Sequence, residues 1–161
     1  MEQGTIQGIK ANDHRILSRV ITRIENDDYV KDQRFIELYD QAQKAIRLGI
    51  TGPPGAGKST ITNELIKRFL KKNQTIGVIA IDPSSPFSGG ALLGDRVRMN
   101  HYNNDKSVFI RSMGTHGILG GLARKTQEAG DILAASGKDI IIFETVGVGQ
   151  GEYDIDRKSV V

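Results

Sequence analysis

The stretch Gly49-Ile50-Thr51-Gly52-Pro53-Pro54-Gly55-Ala56-Gly57-Lys58-Ser59-Thr60 decides how the rest of the chain is read. Gly52 to Ser59 fits GxxxxGK[ST] at every fixed position. The apolar run Ile46 to Thr51 precedes it, and a helix-forming stretch from Lys58 to about Lys72 follows. Strand, glycine-rich turn and helix, in that order, are the context in which this pattern cradles phosphate. The glycines let main-chain N–H groups converge on an anion without interference from Cβ, and the helix N-terminus adds a favourable dipole. Gly52, Pro53, Pro54, Gly55, Ala56, Gly57, Lys58, Ser59 and Thr60 are therefore the candidate phosphate-binding residues. Lys58 is expected to reach the β and γ phosphates, and Ser59 Oγ to ligate Mg²⁺. The plain alternative is a glycine-rich turn that binds nothing.

Outward from this stretch, short apolar runs alternate with helical periodicity. Strands are expected at Ile46 to Thr51, Thr75 to Asp82, Val108 to Arg111 and Asp139 to Thr145, and helices from Lys58 to about Lys72 and from about Leu119 to Ala135. This alternation predicts an α/β fold of the P-loop NTPase kind, a mainly parallel sheet with helices on both faces. An N-terminal helical segment precedes it. Asn12 and Asp13 can cap a helix with apolar positions Ile16, Leu17, Val20, Ile21 and Ile24, ended by Asn26-Asp27-Asp28. A second amphipathic helix is expected through Phe35, Leu38, Tyr39, Ala42 and Ile46. The expected division is a helical prefix over 1–45 and a P-loop domain, incomplete, over 46–155.

The last six residues, Asp156 to Val161, are what GATCGGAAGAGCGTCGTG encodes, a string matching a common sequencing-library adapter. Residues 156–161 are expected to be a non-native tail, and the chain the front portion of a longer protein.

At 161 residues the chain has room for one domain with a buried sheet. Its 22 Lys+Arg and 19 Asp+Glu are spread along the chain without a basic block, which argues against nucleic acid as a partner. Cysteine is absent, which excludes disulfides, thiolate metal sites and a cysteine nucleophile. The longest apolar runs, Val78 to Ile81 and Ile140 to Phe143, are too short to span a bilayer, so no membrane role and a cytoplasmic location are expected.

A phosphate-bound Mg²⁺ usually draws on a carboxylate at a neighbouring strand end. Two apolar runs end in such an acid, Asp82 and Glu144, and both join Ser59 as candidate metal ligands. A lone acid at a strand end also serves as an ordinary cap. The small, polar residues from Ser84 to Gly94, followed by Asp95, Arg96 and Arg98, suit a loop that closes on a nucleotide, though a long connector is the alternative.

Four segments together, GITGPPGAGKST, AIDPSSPFSGGALLGDRVRM (Ala80 to Met99), FIRSMGTHGILGGLA (Phe109 to Ala123) and ETVGVGQ (Glu144 to Gln150), resemble the MeaB/ArgK family of P-loop GTPases. The resemblance runs from the N-terminal helices to about Gln150. It implies a GTP- and GDP-binding, Mg²⁺-dependent GTPase acting as chaperone for an adenosylcobalamin-dependent acyl-CoA mutase, typically methylmalonyl-CoA mutase. Such a protein gates cofactor loading and protects the mutase. Carried onto this chain, the resemblance makes Gly52 to Thr60 the phosphate loop and assigns Ser59 and Asp82 to Mg²⁺. It places Asp95 in the first switch and Glu144 in the position of the DxxG acid, here Glu144-Thr145-Val146-Gly147. Gly147 would sense the γ-phosphate through its N–H, and Gln150 is a candidate for orienting water. Lys58, Asp95, Glu144 and Gln150 are thus the candidate catalytic residues.

The chain departs from the family pattern at His116, where the family has Arg, and after Gln150, where Gly151-Glu152 stands in place of Ser-Glu. The guanine-reading NKxD element and the family's dimerising C-terminal helices are absent from the sequence, so guanine preference and a homodimer follow from the resemblance alone. No arginine or glutamine is firmly placed beside the γ-phosphate, which predicts slow intrinsic hydrolysis that a mutase partner accelerates.

Three rival readings stand beside this one. The related nickel-inserting GTPases bind metal through Cys and His, whereas here Cys is absent and His14, His101 and His116 are scattered. An ATP-using kinase linked to arginine and ornithine transport, after an older family name, would pass its phosphoryl group to a protein. An inactive truncated fragment would bind neither GDP nor ADP.

Overall fold

The computed structural model describes residues 3–26, 44–86, 102, 105–115 and 119–145. The expected helix through Phe35, Leu38, Tyr39, Ala42 and Ile46 lies outside them except at its end, where Ile46 opens a strand instead; the tail at 156–161 and most of the loop from Ser84 to Gly94 lie outside them as well.

Two helices open the chain, α1 (Gln3–Lys10) and α2 (His14–Glu25). The Asp13 carboxylate caps α2 by accepting from the N–H groups of Arg15 (2.8 Å) and Ile16 (3.2 Å), two donors the first turn cannot satisfy itself. The capping expected of Asn12 and Asp13 thus falls to Asp13, while Asn12 takes the left-handed turn between the helices at φ 53°. Helix α1 has no counterpart in the sequence reading. Its eight residues are short and carry one strong apolar anchor, Ile9, which only packing makes decisive.

Among the described residues four strands follow: β1 (Ile46–Ile50), β2 (Ile76–Pro86), β3 (Val108–Thr115) and β4 (Ile140–Thr145). Helix α3 (Lys58–Leu70) links β1 to β2, and α4 (Leu119–Ala135) links β3 to β4. All the pairings are parallel, in the order β1-β4-β2-β3. Strands β2 and β4 are central and covered on both faces, which is why they read as nearly unbroken apolar runs rather than as alternations.

Register divides the side chains into two layers. One rung, Leu48, Ile142, Val78 and Ile110, faces α3 and joins Ile66, Leu65, Phe69 and Leu70. The next rung turns Phe143 and Ile79 to the opposite face, where Leu17, Val20 and Ile21 of α2 and Ile132 and Leu133 of α4 cover them. Helices on both faces of a parallel sheet are as expected. Helix α4 approaches the sheet closely because small residues allow it. A Cβ at Gly130 would lie 2.5 Å from Phe143 Cζ, and one at Gly77 2.9 Å from Leu133 Cδ1.

Two strands outrun their expected ends. Asp82 closes no strand: β2 continues to Pro86 and β3 to Thr115, paired through Asp82↔Gly114 and, past a bulge at residues 83–85, Pro86↔Thr115. Asp-Pro-Ser-Ser reads as a strand breaker in one dimension, but a bulge absorbs residues that give the ladder nothing.

A buried ion pair ties α2 to the sheet. Arg111 Nη2 of β3 lies 2.6 Å from Glu25 Oε2 and also donates to Thr22 Oγ1 (2.9 Å), while Lys125 Nζ of α4 donates to the Glu25 carbonyl (2.8 Å). At the N-terminal ends of the strands the Lys106 carbonyl accepts from Asn12 Nδ2 and from the buried Lys138 Nζ, each at 2.9 Å. His14, the first residue of α2, packs edge-on against Phe109 with ring centroids 5.2 Å apart. Burial, with Lys138 nearby, pulls the imidazole below its usual 6.5. None of the described helices is long and apolar enough to cross a membrane.

Candidate functional site

The site lies at the C-terminal ends of β1 and β4, where β1 turns through residues 51–57 into α3. Gly55 (φ 78°) and Gly57 (φ 85°) occupy the left-handed region that L side chains rarely adopt. Gly57 is also the N-cap of α3, and it brings no side chain to the first turn. The helix therefore starts with N–H donors that no side chain caps, directed at the loop ahead of it, an arrangement that favours an anion. Pro53, Pro54, Ala56 and Thr60 are exposed around this turn, where a ligand can reach their backbone.

Lys58 folds back over the loop. Its ammonium donates to the Gly52 carbonyl (2.5 Å) and to the Pro53 carbonyl (2.9 Å), so the charge is held across the mouth of the turn and not released into solvent. Ser59 points the other way, toward the sheet. Its Oγ donates to Glu144 Oε1 at 2.5 Å, joining the first turn of α3 to the end of β4.

Glu144, the penultimate residue of β4, is only 3% exposed, in a strand in which every other residue is buried as well. Its second oxygen, Oε2, accepts from Thr62 Oγ1 at 2.7 Å. Among the described residues no ammonium or guanidinium pairs with it. A buried carboxylate held by two hydroxyls and no cation is an expensive group to maintain. Thr145 Oγ1 lies 3.3 Å from Thr51 Oγ1, so the ends of β4 and β1 are also linked one residue further on.

The structure thus brings together Gly52, Pro53, Pro54, Gly55, Ala56, Gly57, Lys58, Ser59, Thr60 and Glu144. The backbone of Asp82 lies in β2 two residues beyond Ala80, which is in register with Glu144. Asp95, Gly147 and Gln150 lie outside the described residues, as do His101 and His116. Thr62 was not anticipated. The available signal was its position three residues after Ser59 in a helix, which puts both hydroxyls on one face.

A hydroxyl and a carboxylate beside a phosphate-type loop suit a hard divalent cation. Among the described residues no three His, Cys, Asp or Glu side chains gather to form a metal cage. An ion such as Mg²⁺ keeps several waters and takes its remaining ligands from one or two protein oxygens and from substrate phosphates.

Comparison with known proteins agrees with this geometry. Residues 17–160 match the family model described as methylmalonyl Co-A mutase-associated GTPase MeaB. A protein of Pyrococcus abyssi, provisionally named a GTPase, is 53% identical over 150 residues, covering 93% of this chain and 46% of that protein. The GTPase ArgK of Escherichia coli is 36% identical over 151 residues, covering 94% of this chain and 46% of its own length. Among solved structures, a LAO/AO transport system kinase superposes with a TM-score of 0.67 at 25% identity, covering 96% of this chain and 47% of that one. The chain spans about half the length of the curated relatives it matches. On the family match over residues 17–160, the chain belongs to the MeaB family of methylmalonyl-CoA mutase-associated GTPases.

Proposed function

We propose that this chain carries the nucleotide site of a GTPase that binds Mg²⁺-GTP and uses its nucleotide state to gate adenosylcobalamin loading and protection of an acyl-CoA mutase such as methylmalonyl-CoA mutase. The observation that carries the reading is the junction between Ser59 Oγ and Glu144 Oε1 at 2.5 Å, which sets a carboxylate against the first turn of a helix that opens on a phosphate-type loop. The family membership supports the nucleotide and the partner.

In this reading the N–H groups of Gly52 and of residues 55–60, together with the α3 dipole, hold the phosphates, the two prolines between them having no N–H to give. Lys58 exchanges its carbonyl partners for the β and γ phosphate oxygens, and its charge is already at the mouth of the loop. Ser59, Glu144 and Asp82 serve the metal, Ser59 as a direct ligand. Bound Mg²⁺ would neutralise charge on the β and γ phosphates as the bond to the leaving group breaks. Asp95 belongs to the first switch, Gly147 donates its N–H to the γ-phosphate and Gln150 orients the attacking water. These last three roles rest on the family pattern. With no described arginine beside the loop, hydrolysis is slow in the free chain and rises when a mutase orders the switches.

The test is titration with GDP, GTP, ADP and ATP, each with Mg²⁺ and with EDTA. All four are expected to bind through their phosphates, and Mg²⁺ to strengthen binding. Lys58→Ala should weaken GTP binding by roughly 10- to 100-fold, from about 1.5–3 kcal/mol for hydrogen bonds to a charged group. Binding of none of the four would leave an inactive fragment. With γ-labelled nucleotide, free phosphate supports the GTPase, whereas label on a transport protein would favour a kinase, the activity named for the superposed LAO/AO structure.

A further inference from the structure

We infer that Thr62 is a positioning residue for Glu144: it holds one carboxylate oxygen so that the other stays aimed at Ser59 and the phosphate loop. The inference rests on the reading of this site as a Mg²⁺-nucleotide site. Thr62 is fully buried, and its Oγ1 lies 2.7 Å from Glu144 Oε2. The same hydroxyl is 3.1 Å from the Lys58 carbonyl, its neighbour one helical turn back. A hydroxyl has one proton to donate, and the shorter, charge-assisted contact takes it.

The arrangement is a two-point clamp. Ser59 takes Oε1 and Thr62 takes Oε2, so rotation of the carboxylate about its terminal bond would break at least one hydrogen bond. Both donors stand on the same face of α3, three residues apart, and the helix fixes their spacing. Held in this way, the carboxylate presents a defined oxygen to whatever Ser59 ligates. Supporting hydrogen bonds of this kind orient groups around a metal.

Stability alone does not call for the pair. The rest of this face of the sheet is packed with Ile66, Ile140, Ile142 and Val78, and an apolar pair could fill the space of Thr62 and Glu144 without burying a charge. The polar pair occurs where that apolar layer meets the phosphate loop.

The measurement is the Mg²⁺ enhancement, defined as the ratio of the GDP dissociation constant in EDTA to that in Mg²⁺, for the wild-type chain, Thr62→Val, Thr62→Ser, Glu144→Gln and the Thr62→Val/Glu144→Gln pair. Thr62→Val keeps the shape and removes the hydroxyl. It should lower the enhancement by roughly 10-fold, the lower end of what loss of a metal-supporting hydrogen bond costs, with GDP affinity in EDTA unchanged. Thr62→Ser should restore it. In the Glu144→Gln background Thr62→Val should change it less than about 2-fold, since residues acting through one another are not additive. Thr62→Ala replaces Thr62→Val if the latter has no cooperative melt. A full enhancement in Thr62→Val or Thr62→Ala, or an equal loss in both backgrounds, overturns the inference while leaving the nucleotide reading intact. A wild-type chain that binds GDP without any Mg²⁺ enhancement overturns both.

Discussion

Ser59 and Glu144, 85 residues apart in sequence, meet through a hydrogen bond of 2.5 Å between Oγ and Oε1. The contact exists because β1 and β4 are adjacent in the sheet, although α3, β2, β3 and α4 all lie between them in the chain. Ser59→Ala and Glu144→Gln should each cut the Mg²⁺ enhancement of GDP binding by roughly 10- to 100-fold. Neither should abolish GDP binding in EDTA, because the phosphate loop remains. An enhancement equal to wild type in Glu144→Gln would make the carboxylate purely structural.

Gly130 sits under Phe143. A methyl group there would lie 2.5 Å from Phe143 Cζ, so Gly130→Ala overpacks the layer between α4 and β4. Overpacking costs about 1–3 kcal/mol. The better helix propensity of alanine offsets up to about 1 kcal/mol of that. The variant should unfold at lower urea, and Gly130→Ala/Phe143→Leu should recover part of the loss. A higher urea midpoint for Gly130→Ala would mean that α4 stands further from the sheet.

Glu25 and Arg111 form a buried ion pair at 2.6 Å, which ties α2 to β3. Glu25→Ala leaves the guanidinium buried with, among the described residues, the Thr22 hydroxyl as its remaining partner, at a cost of about 3–5 kcal/mol. The double replacement Glu25→Leu/Arg111→Met should be closer to wild type than Glu25→Ala, because it removes the stranded charge. Urea unfolding of the three chains decides the point. A Glu25→Ala chain as stable as wild type would show that the pair contributes nothing.

Lys138 is 2% exposed, and burial pulls its pKa from 10.5 to about 8, against the opposing pull of Asp105 and Asp139. Between about 8 and 10.5 the unfolded chain holds a proton at this residue that the folded chain has released, so its contribution to stability rises with pH across that window. His14 acts in the same direction lower down: its depressed pKa removes stability as pH falls below 6.5. The melting temperature of the wild type minus that of Lys138→Met should therefore increase from pH 7.5 to pH 10, buffer ranges chosen to bracket about 8. A difference independent of pH would show that the ammonium stays charged in the fold.

The phosphate loop, the alternation of strand and helix and the bounds of α4 were legible in the sequence, because each depends on residues close together in the chain. Glycines at fixed spacing dictate the turn around Lys58, and apolar periodicity dictates Leu119–Ala135. The sequence also offered Glu144 as an acid at the end of an apolar run, but equally offered Asp82, with no local feature to rank them. Tertiary structure decided that Glu144 receives both Ser59 and Thr62. It also carried β2 and β3 past their apparent ends and enlisted the short α1 in the core. The physical reason is common to all three. Hydrogen bonds between a helix and a strand far along the chain, a bulge that absorbs three unpaired residues and a helix stabilised by a neighbour's apolar face are properties of register and packing, which no window along the chain contains.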